Sequence, residues 1–96
     1  MIQYRLTKFA KKDLEDIWNY TAENWSINQA NKYYENLINE CLFITENQHI
    51  GRSIKHIKPL HRIRQNKSHI IVYKIEKDQI WVDRILHKRM DIRNRL

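Results

Sequence analysis

Five histidines, at positions 49, 56, 61, 69 and 87, are the first residues to weigh for chemistry. No two stand at the i, i+4 spacing that turns a pair of imidazoles toward zinc from one helix face. No Cys-x-x-Cys pair accompanies them, so no metal site is expected. The single glycine, Gly51, cannot build a phosphate-cradling loop, and no cofactor is expected. A Ser/His/Asp triad would have to form without a nucleophile elbow. Cys41, the one cysteine, cannot close an internal disulfide. It falls on a helical apolar stripe, which makes it a small buried hydrophobe rather than a reactive thiol.

Metal-free cleavage of RNA is the reaction these residue types suit best. It needs a base for the 2′-hydroxyl, an acid for the leaving oxygen and cations for the phosphate. Arg64, Lys67, His69, Tyr73 and His87 are candidates for those roles. Each also has an ordinary reading. His69 and Tyr73 suit an alternating strand, Arg64 and Lys67 a solvated turn, and His87 a structural hydrogen bond.

Charge adds a second theme, since the chain carries a net +7. Residues 1–46 hold five bases against seven acids, and residues 76–96 hold six against four. Between them, residues 47–75 hold Arg52, Lys55, Lys58, Arg62, Arg64, Lys67 and Lys74 and not one acid. Such a block attracts nucleic acid or an acidic protein surface.

These side chains must be positioned by a small framework. With 96 residues the chain suffices for one domain, 1–96, with a core of one layer between helices and a sheet. Ile2-Gln3-Tyr4-Arg5-Leu6 alternates and predicts a strand. Thr7 can cap a helix whose buried stripe is Ala10, Leu14, Ile17, Trp18, Thr21 and Trp25. Ser26-Ile27-Asn28-Gln29 has the form of a capping box and restarts the helix. Ala30, Tyr33, Leu37, Cys41 and Ile44 form its stripe, to about Asn47, and the Trp and Tyr residues on both stripes are expected in the core. A turn this short makes the two helices a hairpin. Residues 48–59, with Gly51 and Pro59, read as a connection. Strands follow at 60–64, 68–75 and 80–86, an antiparallel meander whose β-branched centre is Ile70-Ile71-Val72. The class is α+β, with helices over one face of the sheet. A tail from Lys88 to Leu96 can form a helical turn, with Asp91 near its start and Ile92 and Leu96 docking together. No apolar run spans a bilayer and no signal peptide is evident, so a soluble, cytoplasmic protein without membrane contact is expected.

Taken in order, the segments resemble one family. Leu6-Thr7, Ala10, Asp13-Leu14, Ile17 and Tyr20 resemble the first helix of the ParE toxins, and Asn24-Trp25 with Ala30 and Tyr33 their helix–helix turn. Ile50-Gly51-Arg52 resembles the connection and His69-Ile70-Ile71-Val72-Tyr73 the central strand. Arg84-Ile85-Leu86-His87-Lys88-Arg89-Met90-Asp91 resembles the end of these proteins most specifically. The likeness runs from about residue 4 to residue 91.

This resemblance implies the RelE/ParE-like α+β fold and a toxin of a type II toxin–antitoxin, or plasmid stabilisation, system. It implies a cognate antitoxin whose acidic or amphipathic segment wraps the toxin in a hetero-oligomer. It also implies DNA gyrase as the target, inhibited by binding, with nucleic acid met only indirectly. Arg62, Arg64, Lys67, Arg84, Arg89 and Arg93 are then expected to face the target. The related RelE branch cleaves mRNA on the ribosome. It relies on late basic, aromatic or histidine residues, and here the tail after His87 has no Tyr, Phe or His. The ribonuclease is therefore the alternative.

Overall fold

The computed structural model describes residues 3–96; Ile2, expected to begin the first strand, lies outside them. Strand β1 (Gln3–Leu6) leads into helix α1 (Lys8–Asn24). Thr7 caps that helix, its hydroxyl oxygen accepting from the Ala10 N–H at 3.1 Å. Ala10, Leu14 and Thr21 lie on the buried face. The Thr21 hydroxyl is satisfied by donating to the Ile17 carbonyl at 2.8 Å. Ser26 caps helix α2 (Ile27–Glu46) by accepting from the Gln29 N–H at 3.0 Å. Among the described residues the Gln29 side chain does not reach back, so only half of the capping box forms.

Strand β2 (Arg52–Ser53) is followed by β3 (His61–Asn66), β4 (His69–Glu76) and β5 (Gln79–His87). The sheet order is β1-β5-β4-β3-β2. The expected meander is present as β3-β4-β5, antiparallel throughout. Lys77 and Asp78, with φ of 49° and 60°, turn β4 into β5 with the twist that two-residue hairpins require.

Three features depart from the sequence reading. Residues 48–59 are not wholly a connection, because Arg52 and Ser53 pair with Ile63 and Arg62. β1 pairs in parallel with β5, so the chain's last strand lies inside the sheet and the edges are β1 and β2. The core has more than one layer. Leu14, Leu37, Ile44, Ile71, Val82 and Ile85 pack between helices and sheet. On the opposite face Ile54, Ile63, Val72 and Leu86 form a second cluster, against which Ile92 and Leu96 pack. A sheet with apolar side chains on both faces must cover both, and here the loop after β2 and the tail cover the second.

The β4–β5 register jumps from Val72↔Arg84 to Tyr73↔Val82, leaving Asp83 without a counterpart. Such a bulge re-aims neighbouring side chains. Asp83 meets His61 and Lys58, whereas Arg84 reaches Asp13 on α1.

Candidate functional site

His69 opens β4 and His87 closes β5, and the two are register partners. Their rings meet edge to face, 5.3 Å between centroids. Tyr33 of α2 stands against His69, with 2.6 Å from its hydroxyl to Nδ1. The Ser68 N–H donates to the same hydroxyl at 3.3 Å. The Tyr33 hydroxyl and His69 Nδ1 share one hydrogen bond, whose direction follows the imidazole tautomer. His87 Nδ1 accepts from the Arg89 N–H at 3.2 Å. Burial first, and the neighbouring His87 second, lower the His69 pKa to about 4 against the opposing pull of Asp13. His69 is thus uncharged at neutral pH. Burial also raises the Tyr33 pKa.

These groups lie in an open cleft of about 620 Å³, between the helical hairpin and the ends of β4 and β5, with Ile17, Tyr20, Trp25 and Met90 in its walls. Trp25 is 75% exposed, contrary to its expected place in the core. It sits past the last turn of α1 at φ −131°, ψ −86°, where the helical direction that would carry it onto the stripe has ended. Trp18 is half-buried and donates from its indole N–H to Asn31 at 3.0 Å. The aromatics at the helix–helix turn are legible as residue types, but helical period alone places Trp25 in the core, whereas both it and Tyr20 are exposed.

Of the ribonuclease candidates, only His69 and His87 come together. Tyr73 is wholly buried. Its hydroxyl donates to the Gln48 carbonyl at 2.6 Å and accepts from the Gly51 N–H at 2.9 Å, so it ties down the connection. Arg64 donates to Glu40 at 3.0 Å and lies 5.6 Å from the Phe43 ring centroid. Lys67 occupies the β3–β4 turn at φ 54°.

The residues expected to face the target divide in two. Arg62 donates to the Gly51 carbonyl at 2.7 Å, and Arg64 is paired as above. Arg84 closes on Asp13. These three serve the fold. Lys67, Arg89 and Arg93 are exposed, with no ion-pair partner among the described residues. The acid-free block is also less bare than its sequence. Glu40, Glu76 and Asp83, all from outside it, pair with Arg64, Lys74 and Lys58.

His61, one of the five histidines, is 5% exposed. Its Nδ1 lies 2.7 Å from the Pro59 carbonyl and its Nε2 2.6 Å from Asp83. It anchors the loop before β3. Cys41 is buried, and desolvation pushes its thiol up to about 12, so it is inert. Among the described residues no group of three or more His, Cys, Asp or Glu side chains could hold a metal ion. None of the helices described is long and apolar enough to cross a membrane.

Comparison with known proteins bears on this arrangement. Residues 4–92 match the family model described as ParE toxin of type II toxin-antitoxin system, parDE. Toxin ParE1 of Caulobacter vibrioides is 31% identical over 96 residues, covering 100% of this chain and 99% of that protein. Toxin ParE1 of Mycobacterium tuberculosis is 34% identical over 91 residues, 94% of this chain and 93% of the other. A solved structure described as a chromosomal ParDE TA system from P. aeruginosa superposes with a TM-score of 0.78 at 20% identity, over 91% of this chain and 96% of that one. At that identity the likeness concerns the fold, which is the RelE/ParE-like α+β domain. With a family model spanning nearly its whole length and full-length relatives above 30% identity, the chain belongs to the ParE toxins of type II toxin–antitoxin systems.

Proposed function

We propose that this protein inhibits DNA gyrase by binding it, without chemistry of its own, and is neutralised by a cognate antitoxin in a hetero-oligomeric complex. The observation that carries the reading is the condition of the groups a ribonuclease would need. A base with a pKa near 4 takes up a proton only weakly at neutral pH. The Tyr73 hydroxyl is spent on the backbone, and Arg64 is closed on a carboxylate. What remains accessible is Trp25 and Tyr20, with Arg89 following His87 at the cleft. Exposed aromatics and arginine are the residues that dominate binding surfaces.

An antitoxin partner is supported by family membership and by the solved P. aeruginosa relative, described as a ParDE system. The basic surplus suits an acidic segment, and the free edge of β1 can accept a strand. A second reading, an mRNA endoribonuclease acting on the ribosome, is favoured by the His69–His87 pair at the cleft.

The deciding experiment sets purified gyrase and plasmid against a translation extract. Supercoiling should fall and cleaved plasmid accumulate, with no new mRNA ends. Defined mRNA fragments with gyrase untouched would establish the second reading instead. Calorimetry against the product of the adjacent gene should give nanomolar or tighter affinity, weakening with salt.

A further inference from the structure

We propose that the cleft between the start of α1 and the C-terminal tail is a binding site for a single DNA strand, so that the protein touches the DNA held by its target directly. The cleft measures about 470 Å³ and shares no lining residue with the histidine cleft. Lys8, Lys58, Arg84 and Arg95 line it, brought together from α1, the loop after β2, β5 and the tail. Asp83 is the one acidic side chain in the lining. Its Oδ2 is already shared between His61 at 2.6 Å and Lys58 at 3.3 Å. Arg84 is engaged with Asp13, but Lys8 and Arg95 have no ion-pair partner among the described residues. The local excess is therefore positive and concave.

Folding does not ask for the Lys8 charge. The first turn of α1 contains no acid, and Lys8, Lys11 and Lys12 crowd the end of the helix where carboxylates are favoured. A lysine set against the macrodipole of its own helix, and grouped with Lys58, Arg84 and Arg95 in a trough, fits a ligand with repeated negative charge. Phe9 on the rim narrows the class. It is 57% exposed, with the Lys8 ammonium 5.3 Å from its ring centroid. Cations tracking a backbone beside an exposed ring, on which an unpaired base can stack, are the features of single-strand sites. The choice of DNA over RNA rests on the gyrase reading.

The test is fluorescence anisotropy of the full chain with a labelled DNA strand of roughly 16 nucleotides, titrated over a range of salt. Binding should be in the micromolar range and weaken with salt. Lys8→Ala with Arg95→Ala should lower the slope of log K against log salt by about 1.4, since each phosphate contact to a single strand contributes about 0.7. Phe9→Ala should weaken binding by about fivefold or more with the slope unchanged. Lys32→Ala with Lys77→Ala removes the same charge outside the cleft and should leave affinity within about twofold. All these side chains are exposed, and circular dichroism checks each fold.

An absence of binding overturns the proposal. So does an equal loss in the Lys32/Lys77 variant, or tenfold tighter binding of the RNA strand or of a polyglutamate peptide. The gyrase assay run in parallel separates the two readings. Inhibition of gyrase without DNA binding removes this site and leaves the gyrase reading standing. Binding at the cleft with gyrase untouched does the reverse.

Discussion

Arg84 and Asp13, 71 residues apart, form a two-pronged ion pair, with Nε to Oδ2 at 2.8 Å and Nη2 to Oδ1 at 2.9 Å. Asp13 Oδ2 also accepts the Ile85 N–H at 2.9 Å, so one carboxylate fastens α1 to the bulged part of β5. The Asp13 bond raises the Arg84 pKa further, and the guanidinium stays charged. Asp13→Ala leaves the half-buried Arg84 with only its bond to the Arg95 carbonyl, and the Ile85 N–H with no partner. It should cost about 2–3 kcal/mol. In a domain of this size that lowers the melting temperature by roughly 8–20 °C. Arg84→Lys keeps the charge but not the fork, and should recover only part of the loss. Differential scanning calorimetry reads both; a melting temperature unchanged in Asp13→Ala would show the pair to be idle.

His69 supplies a pH signature. Its pKa is depressed from 6.5 to about 4 in the folded chain, chiefly by burial, so the unfolded chain takes up the proton first as pH falls. The stability tied to its neutral form is whole above about pH 6.5 and is lost as pH drops toward 4. His69→Asn keeps a hydrogen-bond partner for the Tyr33 hydroxyl and removes the titration. Urea midpoints at pH 7 and pH 4.5 should therefore differ less in the variant than in the parent. Equal differences in the two proteins would show that His69 does not titrate in this way.

Tyr73 and Gly51 make a matched pair of predictions. Tyr73→Phe strands the Gly51 N–H and the Gln48 carbonyl and should cost about 1–3 kcal/mol. Gyrase inhibition per folded molecule should stay at the parental level. Gly51→Ala should be worse. Its Cβ would lie 2.6 Å from the Tyr73 hydroxyl and 2.9 Å from the Ile63 carbonyl, so backbone must move. Urea titration followed by a supercoiling assay at matched folded concentration separates stability from function. A folded Tyr73→Phe that has lost activity would return Tyr73 to the working residues.

The tail separates packing from charge. Asp91 caps the short 3-10 helix Ile92–Asn94 by accepting from the Arg93 N–H at 3.1 Å, and Arg84 donates to the Arg95 carbonyl at 3.2 Å. Deleting 92–96 should destabilise the second core cluster, so truncation alone is a poor probe of target contact. Arg89→Ala with Arg93→Ala should leave the melting temperature within a few degrees, as surface changes do, and reduce gyrase inhibition several-fold. Full inhibition by this variant at parental stability would remove both arginines from the target surface.

The basic strand β3 needs a changed expectation. The sequence expects Arg62 and Arg64 to face the target, which would make Arg62→Glu with Arg64→Glu a surface change. In the fold, Glu at position 64 would face Glu40, and position 62 would lose its bond to the Gly51 carbonyl. The double variant should unfold more readily, by about 1–3 kcal/mol in urea titration. Lys67→Glu, in the exposed turn, should not, and is the cleaner test of charge on this side.

What the sequence determined by itself is whatever depends on near neighbours. Thr7 and Ser26 cap α1 and α2 because a cap needs only a hydroxyl and the next three residues. The stripe Ala30, Leu37, Cys41, Ile44 is buried because helical period alone lines it up. The strand at His69–Glu76 follows from its β-branched run, and the ordered motifs along the chain were enough to reveal the family. The tertiary structure decided everything that depends on which distant segments meet. β1 slides in beside β5 and takes away an edge. Asp13, Glu40 and Asp83 reach Arg84, Arg64 and Lys58 across 71, 24 and 25 residues and convert apparent binding charges into internal pairs. Tyr73 turns inward, while Trp25, past the end of its helix, stays in solvent. Charge complementarity and exposure are properties of packed surfaces, and no local window contains the partner that sets them.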